Sequence, residues 1–463
     1  MSPEPAHPPA PPPLRRFSPS AVTAAAFATA ALIMTWNTFR QPLRQAYDAA
    51  AHIASFEKNA SLEHWSPRAC AKNQAYNPPL YYWFVAKLNS ALGLLFRTEI
   101  HPVRTARWLQ LAGLLAAAGC CSRWLLPRLG YRAPAQRAWF ALAFFLLPNQ
   151  YLLQVMPRAD HLLFLAFQAL LVLWYGADFP ARLASSGWRQ AVWIALMAAM
   201  GHARASFVAA WFPFGLWGGA LLLRHAAAQP RSARRALRLA RAALLLALLT
   251  WCSFGFYIRR YLKTGEVAPG GHGARHAQYQ KLEKKPDLRP LFLNAQFGVM
   301  FATPNRHARY AHGNNAFLPR LVNDMWADHW LYFSSAKRMT DNKPAWKRVV
   351  LAAAAPFTVL YFVCPLLCAA IGLRRLCRGQ PPSLAQLGGW IFCAACALLV
   401  VFVRSMPEPG VNASVKFGYL SAYSWLPFFC LAELADRLPR AWPLLRAYTA
   451  ALFALALPLD VFW

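Results

Sequence analysis

The chain has 463 residues, 57% of them hydrophobic, and a formal net charge of +32. Soluble domains run at about 45–50% apolar, and repeated apolar runs of about 17–25 residues can each cross a hydrocarbon core, so a set of soluble domains is excluded and a polytopic membrane protein expected. The basic excess stands at the ends of apolar runs, as membrane flanks do, which argues against a nucleic-acid partner.

Residues 1–17 are rich in Pro and Ala and read as a disordered cytoplasmic tail. Arg15 and Arg16 precede an apolar run that is long for a signal-peptide core, and it is read as a retained first helix. Eleven runs have spanning character: 18–36, 105–126, 137–155, 161–178, 188–203, 206–223, 242–261, 347–373, 387–403, 416–434 and 442–462. The stretch 78–96 is also apolar but holds Lys87 and Asn89. If it lies along the interface, Arg128, Arg132 and Arg137, then Arg182 and Arg189, then Arg224 to Arg241, then Arg374 and Arg375, then Arg437 and Arg440 all fall on the side of Arg15 and Arg16. That is the positive-inside pattern, so 78–96 is read as an interfacial amphipathic helix.

The expected fold is therefore all-α, with about eleven membrane helices and interfacial helices in the first and fourth outer loops. Residues 18–265 form a transmembrane module with a first outer loop over 37–104; 266–346 form a large outer loop; 347–463 form the C-terminal membrane helices. Asn59-Ala60-Ser61 and Asn412-Ala413-Ser414 are glycosylation sequons on the outer side. Cys120, Cys121, Cys252, Cys364, Cys368, Cys393, Cys396 and Cys430 fall in apolar runs, so no disulfide framework is expected, and Cys393-Ala394-Ala395-Cys396 reads as core rather than as a redox pair.

The outer helix ends hold the chemistry. Asp48 leaves the first helix, with His52 one turn on. Arg104 and Arg107 open the next span, and Arg158-Ala159-Asp160-His161 fills a turn. His202-Ala203-Arg204 fills another, Arg259 and Arg260 close a helix, and Lys416 opens one. Charges near membrane depth are expensive, and a functional reading is the default. Fixed Arg and Lys suit a phosphate leaving group that gains charge in a transition state. A carboxylate suits removal of an acceptor's proton. Asp48 is the expected base, and Asp160 is expected to orient the acceptor or hold a divalent metal. His52, Arg104, Arg158, Arg204, Arg260 and Lys416 are the expected substrate-binding residues. In the second long loop Asp324, Asp328 and His329 are metal or acceptor ligands on one reading, and part of an interfacial helix with Trp at headgroup level on the other.

Asp48, Asn77-Pro78-Pro79-Leu80-Tyr81-Tyr82-Trp83, Arg104, Met156-Pro157-Arg158-Ala159-Asp160 and the aromatic-Arg stretch Phe256 to Gly265 together resemble the GT-C glycosyltransferase superfamily. The protein O-mannosyltransferases and lipid A aminoarabinose transferases are the most similar types. Ala49 stands where the mannosyltransferases have a second acidic residue, and Asn77 where a base precedes the Pro-Pro pair. The resemblance implies a polyprenyl- or dolichyl-phosphate sugar donor and transfer to a lipid, glycan or protein acceptor on the non-cytoplasmic face. A transporter or flippase of lipid-linked saccharides, and an inactive scaffold of the same fold, are the competing readings. The Ala- and Arg-rich composition fits a bacterial inner membrane better than an endoplasmic reticulum.

Overall fold

A computed structural model describes residues 19–40, 43, 49–61, 78, 80–147, 150, 154–156, 158–228, 233–264, 298, 301, 317–327, 344–404, 417–438 and 440–460. Among the described residues the protein is all helix, with no strand. In chain order the helices are α1 (Pro19–Arg40), α2 (Ala49–Ala60), α3 (Leu80–Phe96), α4 (Pro102–Cys120), α5 (Pro134–Leu146), α6 (Asp160–Gly176), α7 (Phe179–Leu183) and α8 (Gly187–Gly201). They continue as α9 (Val208–Ala227), α10 (Ala233–Thr264), α11 (Phe317–Ala327), α12 (Pro344–Cys377), α13 (Leu384–Arg404), α14 (Leu426–Asp436) and α15 (Ala441–Asp460). A π-helical turn, Cys121–Leu125, prolongs α4, and a 3-10 helix, Phe417–Tyr423, precedes α14.

Among the described residues six helical stretches are long and apolar enough to cross a bilayer: Pro102–Arg128, Ala205–Ala227, Ala233–Leu262, Ala345–Cys377, Leu384–Val401 and Ala441–Pro458. This is an all-α membrane protein. Several expected spans are shorter than their apolar runs. The run 137–155 forms a helix only as far as Leu146, and Leu147 is extended at ψ 116°. Pro148 accounts for the break, because its ring disfavours helical backbone in the residue before it. The run 416–434 is not one helix either: a 3-10 segment ends at Tyr423, and α14 starts afresh with Pro427 in its first turn. An α14 of 11 residues is about 17 Å long, too short to cross alone.

The main core is an aromatic-rich cluster. Trp139 of α5 donates to Thr449 Oγ1 of α15 at 3.0 Å, and Trp174 of α6 meets Phe214 of α9 edge-on at 5.2 Å. Such pairs add to the area each ring buries. Helix α8 lies so close to α10 that a Cβ on Gly201 would strike the Ser253 carbonyl oxygen. A smaller cluster joins Ile53 and Phe56 of α2, Tyr81, Tyr82 and Val85 of α3, and Val103 and Ala106 of α4 to Ala159. The segment between α1 and α4 thus brings α2 and α3 onto the turn that carries Arg158 and Asp160.

Other expectations are revised by packing. Asn59 is buried, and its Nδ2 donates to Ser55 O at 2.7 Å, so that sequon offers no acceptor nitrogen in this fold. Asn412 lies outside the described residues. Trp326 of α11 is fully buried, donates to Thr358 Oγ1 at 2.8 Å, and packs on Phe357 of α12. The cysteines of the apolar runs are free thiols, Cys393 and Cys396 among them.

Candidate functional site

Asp160 stands at the first position of α6, where a carboxylate is favoured by the helix dipole. The turn before it is tight: Arg158 N donates to Met156 O at 2.8 Å, and His161 N to Arg158 O at 3.2 Å. This turn brings Arg158 Nε to 3.0 Å from Asp160 Oδ2. The same oxygen accepts from Arg204 Nη1. Arg204 comes from the turn between α8 and α9, where it is extended at φ −162°, ψ 149° and so leaves the helical path. The Asp160 side chain is 2% exposed, that of Arg158 7% and that of Arg204 12%, so the triad is closed to bulk water on most sides. An ion pair this buried is far from an exposed one, whose contribution is small.

Tyr419 completes the group. The Arg158 guanidinium lies 5.7 Å from its ring centroid, and that of Arg204 4.6 Å, both within cation–π range. Tyr419 sits in the 3-10 segment, longer than most such segments, and its neighbours pin it. Asp324, fully buried on α11, accepts from Phe417 N at 2.6 Å. Tyr423 OH donates to Ser206 O at 2.8 Å, beside the Arg204 turn. Gln150 Nε2 donates to Ser424 Oγ, and Tyr361 OH to Ser424 O. Gly418 lies against Arg158: a Cβ there would come within 2.7 Å of Nη1. Behind the triad, Gln150, Asp160, His161 and Ser421 border a cavity of about 10 Å³, room for at most about one water.

No known protein family, curated protein or solved structure matches this chain. Its site is therefore read from its own residues.

Of the expected site residues, Asp160, Arg158 and Arg204 converge directly. Arg260 is half-buried near the end of α10, with its guanidinium 5.7 Å from the Phe256 ring centroid. His52 sits in the adjoining α2–α3 layer, its Nδ1 2.7 Å from Tyr82 OH, rather than in the arginine cluster. Next to it Tyr81 OH accepts from Gln110 Nε2 at 2.7 Å; burial, with the Asp160 carboxylate nearby, pushes its phenol up from 10.0. Arg104 does not converge on the cluster: it is exposed at the start of α4. The buried arginine of that helix is Arg107, 1% exposed, which donates from Nε to Val155 O at 2.8 Å and from Nη1 to Thr38 O at 3.5 Å. Three residues on, it lies only about 60° round α4 but nearly a turn further along the helix, where α1 and the Val155 stretch cover it. Asp48 and Lys416 lie outside the described residues.

Sequence reasoning missed Tyr419 and the role of Asp324. The latter holds the backbone that carries Tyr419; Asp328 and His329 lie outside the described residues. Among the described residues no three His, Cys, Asp or Glu side chains form a metal-binding group. Asp160 Oδ2 already serves two guanidiniums, which is the wrong surrounding for a divalent cation. The arrangement suits an anion: two arginines, oriented by one carboxylate and backed by an aromatic ring, at one end of a helical bundle.

Proposed function

We propose that this chain is a membrane glycosyltransferase of GT-C type, which moves a sugar from a polyprenyl- or dolichyl-phosphate donor to an acceptor on the non-cytoplasmic face. The observation that carries the reading is the buried Arg158–Asp160–Arg204 group on Tyr419. In the transfer the bond between the anomeric carbon and the phosphate oxygen breaks, and the electron pair leaves with the phosphate. The new bond forms from the acceptor oxygen or nitrogen, with inversion, and the acceptor's proton goes to a carboxylate. Arg158 and Arg204 stabilise the phosphate as its charge grows, in surroundings where such help is worth more than in water. Asp160 is a positioning residue, since its oxygen is occupied by both guanidiniums; Asp48 is the base. Arg260 extends the positive field towards the donor's path, and the α2–α3 layer with His52, Tyr81 and Tyr82 forms the acceptor side.

Binding of a short-chain polyprenyl phosphate to purified protein tests the phosphate subsite. Arg158→Gln and Arg204→Gln are each expected to weaken it at least tenfold, on the scale of a charge-assisted hydrogen bond. Arg374→Gln with Arg375→Gln, at the end of the long helix Pro344–Cys377, is expected to leave it unchanged. Equal losses from both groups would mean general membrane anchoring and defeat the proposal.

A further inference from the structure

The end of the bundle away from Asp160 carries a second unbalanced set of arginines. Helix α6 separates the two ends: Asp160 opens it and Asp178 follows it. From Phe179 to Thr264 the chain has no Asp or Glu, yet Arg182, Arg189, Arg224, Arg234, Arg235, Arg238 and Arg241 belong to this far end. Asp178, the carboxylate just before this stretch in sequence, is already engaged by Arg128 at 3.5 Å, and its backbone oxygen by Arg189 at 3.2 Å.

Two of these arginines line a groove. It lies between the start of α8, the end of α9 and the start of α10, with a volume of about 250 Å³. Gln190, His225, Arg238 and Arg241 make its polar side, and Leu222 and Leu245 its apolar wall. Gln190 is buried and donates from Nε2 to Leu183 O at 3.0 Å and to Ala184 O at 3.1 Å, which fixes its carboxamide. Its Oε1 then accepts from Arg241 Nη2 at 2.9 Å. A neutral amide therefore aims the guanidinium without cancelling its charge. Arg234, Arg238 and Arg241 follow one stripe of α10, at i, i+4 and i+7. Helix α10 has 32 residues, about 48 Å, well beyond a hydrocarbon core of about 30 Å, so its arginine-bearing start reaches headgroup level. Leu223, Leu244 and Leu248 are exposed on the helices that flank the groove.

We infer that this groove binds the headgroup of an anionic phospholipid, with the phosphate between Arg238 and Arg241 and an acyl chain along Leu222 and Leu245. Free phosphate shares the anionic chemistry, but it would leave the apolar wall unused; the lipid uses both sides of the groove. The site is separate from the sugar-transfer reading and stands or falls without it.

Native mass spectrometry of the purified full chain, released from detergent with phosphatidylglycerol or phosphatidylcholine of the same acyl chains, tests the inference. Wild-type protein is expected to retain phosphatidylglycerol in preference. Arg238→Gln with Arg241→Gln is expected to weaken that retention about twenty-five-fold, at about fivefold for each basic side chain near an anionic headgroup. The melting temperature in zwitterionic detergent should stay at the wild-type value, which shows the variant folded. Arg374→Gln with Arg375→Gln, on α12, should keep the preference. Equal retention of the two lipids, an equal loss in the α12 control, or displacement of the lipid by millimolar inorganic phosphate would each overturn the assignment.

Discussion

Asp160→Asn removes the charge from a carboxylate that two guanidiniums share. At 3.0 Å and an effective dielectric of about 20, the Arg158 pair alone has an attraction of about 5.5 kcal/mol. The cost of drying these groups is incurred whether or not the carboxylate is there, so its loss leaves Arg158 and Arg204 buried, adjacent and mutually repelling. Breaking a buried pair from one side costs about 3–5 kcal/mol, and that is the destabilisation expected here. Reversible unfolding in mixed micelles, titrated with SDS and followed by tryptophan fluorescence, measures it. The double variant Asp160→Asn with Arg204→Gln should be less damaged than the sum of its parts, with a coupling of about 0.5–3 kcal/mol. A loss below about 1 kcal/mol, the scale of an exposed ion pair, together with no coupling, would mean that the triad is open to water. Arg158 and Arg204 would then form no dry phosphate subsite.

Three further outcomes follow from the packing. Gly418→Ala should push Arg158 off Asp160 and weaken polyprenyl-phosphate binding severalfold while the protein stays folded; unchanged binding would detach the 3-10 segment from the site. Gly201→Ala should force α8 from α10 and cost about 1–3 kcal/mol in the same micelle titration, as overpacking does; no loss would refute that close approach. Single cysteines at positions 130 and 230 should react with a membrane-impermeant maleimide only from the cytoplasmic side; labelling of both from outside would invert the orientation drawn from the arginine distribution.

Much of this arrangement was legible in the sequence, and its gaps have physical causes. The apolar runs announced an all-α membrane protein because a bilayer demands length and apolarity of each segment. Arg158, Asp160 and Arg204 were legible because each falls in a short turn at the same end of the bundle, where a charge needs a reason. Tyr419 was not, because it reaches the arginines from over two hundred residues downstream, on a segment whose 3-10 form depends on Asp324, Tyr361 and Tyr423. Hydropathy counted 416–434 as one span, since an averaged apolar run does not register a break before Pro427. Arg104 and Arg107 look alike in sequence; only the cover that α1 and the Val155 stretch give to Arg107 tells the buried one from the exposed one.

The central claim is sugar transfer, and Asp48 tests it most directly. Purified protein would be supplied with a panel of polyprenyl-phosphate sugars and with hydroxyl- and amine-bearing lipid acceptors, and release of polyprenyl phosphate measured for wild type and Asp48→Asn. The expected result is turnover of one donor by the wild type and, in the variant, retained donor binding with transfer slowed at least about a hundredfold, the lower end of what a general base contributes. If no donor is turned over, or if Asp48→Asn and Asp160→Asn both transfer at the wild-type rate, the chain is not the glycosyltransferase proposed here.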